Sequence, residues 1–319
     1  MEHAGPGHRD AGTNAGAAAP APLVVRAADG YVLRGFQWRH RGPPDDERPV
    51  VLVNAATSVR CRYYARFAAW LHGHGFDVLT YDYRGIGESR PERLRGFEAS
   101  WRDWGRLDCE ALLQHALRRF PGQPLHVIGH SIGGFVLGLA PANRRIDRIL
   151  TVGAQFAYWR DYAPEHRRRM YLKGHVLMPL VTALLGYFPA KRLGWFEDTP
   201  AGVVRDWRRF GSDAMSEAER ARHLAPCAGV TAPILALSTT DDEYGTSAAV
   251  ERLLRYFSAS PAVHLRLAPA QLGVDAIGHF GFFHDRFERL LWPIALDWLR
   301  DGRIPGHWVP AAAPDGVRV

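Results

Sequence analysis

Val50–Asn54 is apolar over nearly its whole length, and Asp77–Tyr81, Leu125–Gly129 and Ile146–Val152 read as further short strand runs. A strand with one wet face alternates apolar and polar residues. A run that does not alternate has to be covered on both faces, which requires a parallel sheet sandwiched by helices. The intervening segments supply those helices. Arg62–His72 places Tyr64, Phe67, Ala68 and Leu71 on one face, Trp101–Phe120 carries an apolar stripe through Leu107, Ala111, Leu112 and Leu117, and Ile132–Leu139 follows the third run. Ahead of them, Leu23–Ala27 and Tyr31–Trp38 flank Asp29-Gly30, a hairpin turn signal. Further on, Pro233–Ser238 and Ala262–Ala268 read as strands and Phe283–Arg300 as a helix. The pattern predicts an α/β fold: a mostly parallel, doubly wound sheet entered through an antiparallel hairpin.

One interval breaks the rhythm. Residues 155–228 hold 11 aromatics among 74 residues and no clear strand. They are expected to form a helical cap inserted after the sixth sheet strand, dividing the core into residues 23–154 and 229–302. Ligands of open α/β sheets bind at the carboxyl ends of the strands, so a cap leaving from that end would cover the site. Residues 1–22, rich in Gly, Ala and Pro, are expected to be a disordered lead, and residues 303–319 a tail.

Composition narrows the class of function. The 319 residues carry a net charge of +7, and all but two of the 40 basic residues are arginine. These are scattered among acids and form no stripe interleaved with aromatics, so no nucleic-acid partner is expected. The Arg167-Arg168-Arg169 run reads as a solvated face. Cys61, Cys109 and Cys227 are odd in number and lack Cys-x-x-Cys spacing, which argues against a disulfide framework. No run approaches the ~20 apolar residues that cross a bilayer. A cytoplasmic location without stable membrane insertion is expected; transient lipid contact through Val176–Leu185 is the alternative to a buried packing role for that segment. No histidine pair has metal-ligand spacing with a carboxylate, so no metal is expected.

The chemistry sits where the third run turns into its helix, at Gly129-His130-Ser131-Ile132-Gly133-Gly134. A serine on so sharp a strand–helix turn is forced into a strained backbone with its hydroxyl above the sheet, and the flanking glycines remove side chains that would clash. Gly-x-Ser-x-Gly spacing alone is weak; a strand before and a helix after make it specific. A serine hydroxyl attacks only when a base takes its proton, so a histidine and an acid must arrive from later strand ends. Pro233–Ser238 runs into Thr239-Thr240-Asp241-Asp242-Glu243-Tyr244, and Ala262–Ala268 leads to Gly278-His279-Phe280-Gly281. His279 is the expected base because its flanking glycines let the loop bend. His284 is the rival, and His130 should point away from the hydroxyl.

These residues, together with Tyr81-Asp82-Tyr83-Arg84-Gly85-Ile86-Gly87-Glu88-Ser89 and Ile277–Phe283, make the chain resemble the α/β-hydrolase superfamily over most of residues 23–302. The resemblance is nearest to predicted serine hydrolases grouped with serine aminopeptidases and monoacylglycerol-lipase-like enzymes. It implies the α/β-hydrolase fold and a triad of Ser131, Asp242 and His279, with Asp241 and then Glu243 as alternative acids. It also implies an oxyanion hole made by the N–H of Ile132 and that of Ala56, with Ala55 as the alternative. The family often has His-Gly where this chain has Asn54-Ala55, and Asn54 is expected to tie the loop by hydrogen bonds. Asp82 is expected to stabilise its turn by pairing with Arg84.

The implied activity is cleavage of an ester, thioester or amide of a small, largely apolar substrate, with no cofactor. An aminopeptidase-type peptidase, an acyltransferase or a non-catalytic ligand-binding protein on the same fold are the alternatives. An aminopeptidase would need an acidic group near the elbow to hold the substrate amine. Phe156, Tyr158, Trp159, Tyr162, Trp195, Phe196 and Trp207 of the cap are the candidate pocket-lining aromatics.

Overall fold

The computed structural model describes residues 19–42, 45 and 47–304. Residues 1–18 of the expected lead and 305–319 of the expected tail therefore lie outside the described residues. Eight strands form one sheet: β1 (Ala21–Arg26), β2 (Val32–Trp38), β3 (Val50–Asn54), β4 (Asp77–Tyr81), β5 (Leu125–His130), β6 (Arg148–Val152) and, after a two-stranded ribbon of β7 (Tyr187–Phe188) and β8 (Thr199–Pro200), β9 (Ile234–Thr239) and β10 (Ala262–Leu267). Their order is β1-β2-β4-β3-β5-β6-β9-β10. The β1–β2 and β2–β4 pairs are antiparallel and all others parallel.

Burial follows the sequence pattern. Every residue of β3, β4 and β5 is buried, as their unalternating composition demands, whereas β1 and β10 at the two edges alternate. The register brings Asn54 opposite Gly129, Gly129 opposite Thr151 and His130 opposite Val152, so β3, β5 and β6 end level with one another. Everything that follows these strands is delivered to one rim.

Between β6 and β9 the chain is mainly helical, through Pro164–Tyr171, a π-helical stretch Leu172–Leu177, Met178–Leu185, Ala201–Phe210 and Glu217–Leu224. The short β7–β8 ribbon within it has no counterpart in the sequence pattern. The closing helix also departs from expectation. It spans Trp292–Asp301 rather than beginning near Phe283, because Pro293 has no N–H to give and is accommodated only in a first turn.

The turn after β4 is held differently from the expected Asp82–Arg84 pair. Buried Asp82 accepts the N–H groups of Cys61 at 2.6 Å and Glu88 at 2.8 Å. Arg84 instead donates from Nε to Asp108 at 2.7 Å and from its terminal nitrogens to Asp29. Backbone N–H groups outcompete the guanidinium because the turn wraps around the Asp82 carboxylate. Cys61, Cys109 and Cys227 are all free and buried.

Candidate active site

Ser131 follows β5 with φ 53° and ψ −121°, one of two non-glycine residues with positive φ among those described. A non-glycine residue persists there only when its surroundings over-determine the backbone. The register supplies that constraint: the Ser131 N–H donates to Val152 O at 3.0 Å. Close packing supplies the rest. A side chain at Gly133 would come within 2.2 Å of Asn54 O, so the helix beginning at Ile132 presses directly on the end of β3. Asn54 ties the same junction, donating to Gly133 O at 3.3 Å and accepting from the Tyr81 hydroxyl at 2.9 Å. This is the loop-tying role read from the sequence.

Asp242 and His279 arrive from the loops after β9 and β10, with Asp242 Oδ2 2.7 Å from His279 Nδ1. Asp242 Oδ1 accepts the N–H groups of Tyr244 at 2.8 Å and Gly245 at 2.9 Å. Burial opposes the charge on Asp242, but the facing His279 and these N–H donors outweigh it and hold the carboxyl below the ordinary aspartate value. Asp241, the alternative acid, turns away: its Oδ2 accepts the N–H groups of Ile277 and Gly278 at 2.8 and 2.9 Å, fastening the loop that carries His279. Glu243 pairs with Arg169 at 2.5 Å, and His284 lies beside Asp285 at 2.8 Å.

Ser131 and His279 line one cavity of about 390 Å³. They form no direct hydrogen bond with each other, a frequent state of such pairs before substrate closes the geometry. The Ile132 N–H, first in its helix, has no acceptor within it. Ala56 also lines the cavity, but its N–H donates to the Tyr64 hydroxyl at 2.9 Å, which departs from the expected second oxyanion donor. Thr57, one residue on, lines the cavity beside Ser131, and its N–H has no partner among the described residues.

Tyr64 belongs to a chain of contacts that sequence reasoning missed. Its hydroxyl lies 2.8 Å from His130 Nδ1, and His130 Nε2 lies 2.9 Å from His279 O. With Nε2 protonated, one neutral imidazole donates to the base's own backbone and accepts from Tyr64, linking the loop after β3 to the His279 loop. Burial, reinforced by the nearby His279 charge, pushes the His130 ring down to about 3; burial and Arg148 do the same to His126 on β5. Both values lie below the unfolded value of ~6.5. Their contribution to stability is therefore complete above that pH and is lost as pH falls toward 3. Between pH 7 and pH 5 each ring should cost about 2 kcal/mol. In urea unfolding at the two pH values, the change in stability from pH 7 to pH 5 should be less destabilising by about 2 kcal/mol in His126→Leu than in the parent. An equal pH dependence in the parent and in His126→Leu would mean that the His126 ring is charged in the fold.

The rest of the cavity wall is mostly cap. Tyr162, Trp195, Phe196 and Trp207 line it as the aromatic-rich interval suggested. Tyr158 and Trp159 do not line it, and Phe156 lines instead a small recess of about 10 Å³ beside Ser131 and Ile132. Phe156 is buried against Phe135, Phe210 and Tyr256, while Tyr158 and Trp159 turn to Asp213, donating at 2.5 and 3.2 Å. Met170, Met178, Phe188, Tyr244 and Phe280 complete the apolar lining, and Lys173 adds one cation. The outer side of this segment is apolar too: Leu172, Val176, Leu180 and Leu184, at four-residue spacing, are all exposed. That departs from the expected buried packing of Val176–Leu185. No helix among the described residues is long and apolar enough to cross a membrane.

The family described as "Serine aminopeptidase, S33" matches residues 45–193. Monoglyceride lipases of Mus musculus and Homo sapiens are each 30% identical over 128 residues, which is 39% of this chain and 38% of each relative. The matched stretch thus spans less than half the length of these relatives. Among solved structures, a soluble variant of monoglyceride lipase from Saccharomyces cerevisiae superposes with a TM-score of 0.63 at 14% identity, covering 86% of this chain and 93% of that one. A Pyrococcus furiosus esterase gives 0.57 at 15% identity, covering 88% and 91%. The strand order, the elbow and these likenesses agree on the architecture: the chain has the α/β-hydrolase fold, and residues 45–193 match the serine aminopeptidase family model.

Proposed function

We propose that the chain is a serine hydrolase that cleaves an ester bond of a small, largely apolar substrate through an acyl-enzyme. The observation that carries this reading is the Asp242–His279 pair at 2.7 Å, set on the wall of an apolar cavity that a strained Ser131 also lines. His279 Nε2 takes the Ser131 proton as Oγ attacks the acyl carbonyl. Asp242 holds the Nδ1–H tautomer and stabilises the imidazolium. The oxyanion is received by the Ile132 N–H and by a second N–H from the following loop, Thr57 as the loop stands, or Ala56 if the oxyanion displaces the Tyr64 hydroxyl. His279 then protonates the leaving alkoxide, and water repeats the cycle on the acyl-enzyme.

The relatives named as monoglyceride lipases and esterases support an ester substrate. The peptidase alternative finds less support, since no Asp or Glu among the described residues lines the cavity to hold a substrate amine. The exposed Leu172, Val176, Leu180 and Leu184 offer a seat for transient contact with aggregated lipid. A series of p-nitrophenyl esters from acetate to laurate, run beside aminoacyl anilides, tests the reading. Turnover should peak at a medium acyl chain and vanish in Ser131→Ala. Faster cleavage of the anilides would replace esterase by peptidase.

A further inference from the structure

Besides Ser131 and His279, the polar residues on the largely apolar cavity wall include Thr57, Ser58 and Thr199, the last two bonded to each other, and, from the cap, Lys173, Tyr162 and Trp207. Lys173 stands on the π-helical stretch Leu172–Leu177, its Nζ 3.9 Å from the centre of the Trp195 ring, and it forms no ion pair among the described residues. The neighbouring acid, Glu243, is already engaged by Arg169 at 2.5 Å and lies 3.7 Å from His166. The Tyr162 hydroxyl and Trp207 Nε1 are buried side by side, the indole N–H facing the tyrosine oxygen, which leaves the Tyr162 O–H without an acceptor among the described residues; both residues line the same cavity. A buried donor left unpaired costs about 1–3 kcal/mol, so the Tyr162 O–H and the Lys173 ammonium, both lining one cavity, call for an acceptor brought from outside. Burial, with the charge of Arg169, lowers the Lys173 ammonium from its usual value, and an incoming anion would relieve that penalty.

We propose that Lys173, Trp207 and Tyr162 form a subsite for an anionic oxygen group, a carboxylate or a phosphate, carried by a ligand whose alkyl part fills the apolar remainder of the cavity. This deepens the hydrolase reading, resting on it only in taking the Ser131 cavity as the substrate site. It makes the preferred substrate an amphiphilic ester with a negative charge rather than a neutral glyceride. Lys173 acts in binding and stands apart from the proton transfers assigned to His279.

Calorimetric titration of the Ser131→Ala protein with 1-octanol, octanoate and octyl phosphate tests the subsite without requiring turnover. Both anions should bind about tenfold more tightly than the alcohol, and the better of the two identifies the group. Lys173→Met should abolish that preference and leave octanol binding unchanged. Lys173→Arg should keep most of it, and Trp207→Phe should weaken the anions but not the alcohol. Equal binding of all three ligands, or an anion preference that survives Lys173→Met, would overturn the proposal. Because binding is read directly, a failed ester screen would count against the hydrolase reading and leave this result standing.

Discussion

Asp242→Asn is expected to lower kcat for a good p-nitrophenyl ester by about 10⁴-fold while the protein stays folded. The reason lies in how the carboxylate is held. Oδ1 accepts two backbone N–H groups, from Tyr244 and Gly245, and Oδ2 faces His279 Nδ1. An asparagine at this position keeps its amide oxygen on the two N–H donors, because its NH₂ cannot accept them. The NH₂ then faces Nδ1, which must become an acceptor, and the imidazole proton moves to Nε2. A ring protonated at Nε2 cannot take the Ser131 proton. Asp241→Asn is the matched control: its amide oxygen can still accept from Ile277 and Gly278, so activity should fall by about tenfold or less. A large loss at Asp241 with little at Asp242 would transfer the role of triad acid.

Gly153→Ala is expected to cost about 10²-fold in kcat, although residue 153 does no chemistry. Gly153 directly follows β6 with φ +55°, and an added Cβ would lie 3.0 Å from His279 Nδ1 and 3.1 Å from Asp242 Oδ2. The methyl group would wedge against both atoms of the acid–base contact, where an ångström of displacement spoils alignment. Alanine also resists this backbone by ~1 kcal/mol, so stability should fall as well. Gly75→Ala separates the two effects. Gly75 has φ +94° and nothing within 4 Å of its would-be Cβ, so stability should drop with kcat unchanged. Equal kcat in wild type and Gly153→Ala would show that the pair tolerates displacement.

Much of the framework was legible in the residues because it follows from burial. Val50–Asn54 and Asp77–Tyr81 are strands over the predicted ranges, since a run without alternation has few other ways to fold. The elbow was legible because three glycines flank one serine where strand must become helix. The cap was harder to read. An aromatic residue there could face the cavity, the core or solvent, and which it does depends on partners distant in sequence: Asp213 draws Tyr158 and Trp159 outward, and Phe135 and Phe210 hold Phe156 in the core. Lys173 left a faint signal. It is one of two lysines in an arginine-rich chain and sits at helical spacing between Met170 and Met178 on the cavity-facing stripe. The Ala56–Tyr64 bond left none, since nothing local says where a tyrosine hydroxyl ends up.

The account rests on Ser131 being a nucleophile activated by His279. Labelling with a fluorophosphonate, in which the attacking oxygen bonds to phosphorus and fluoride leaves, reads that directly when the adduct is located by peptide mass mapping. The predicted result is one adduct per chain, on the peptide carrying Ser131, absent in Ser131→Ala and strongly slowed in His279→Ala. An adduct on another serine, or labelling that persists undiminished in Ser131→Ala, would contradict it.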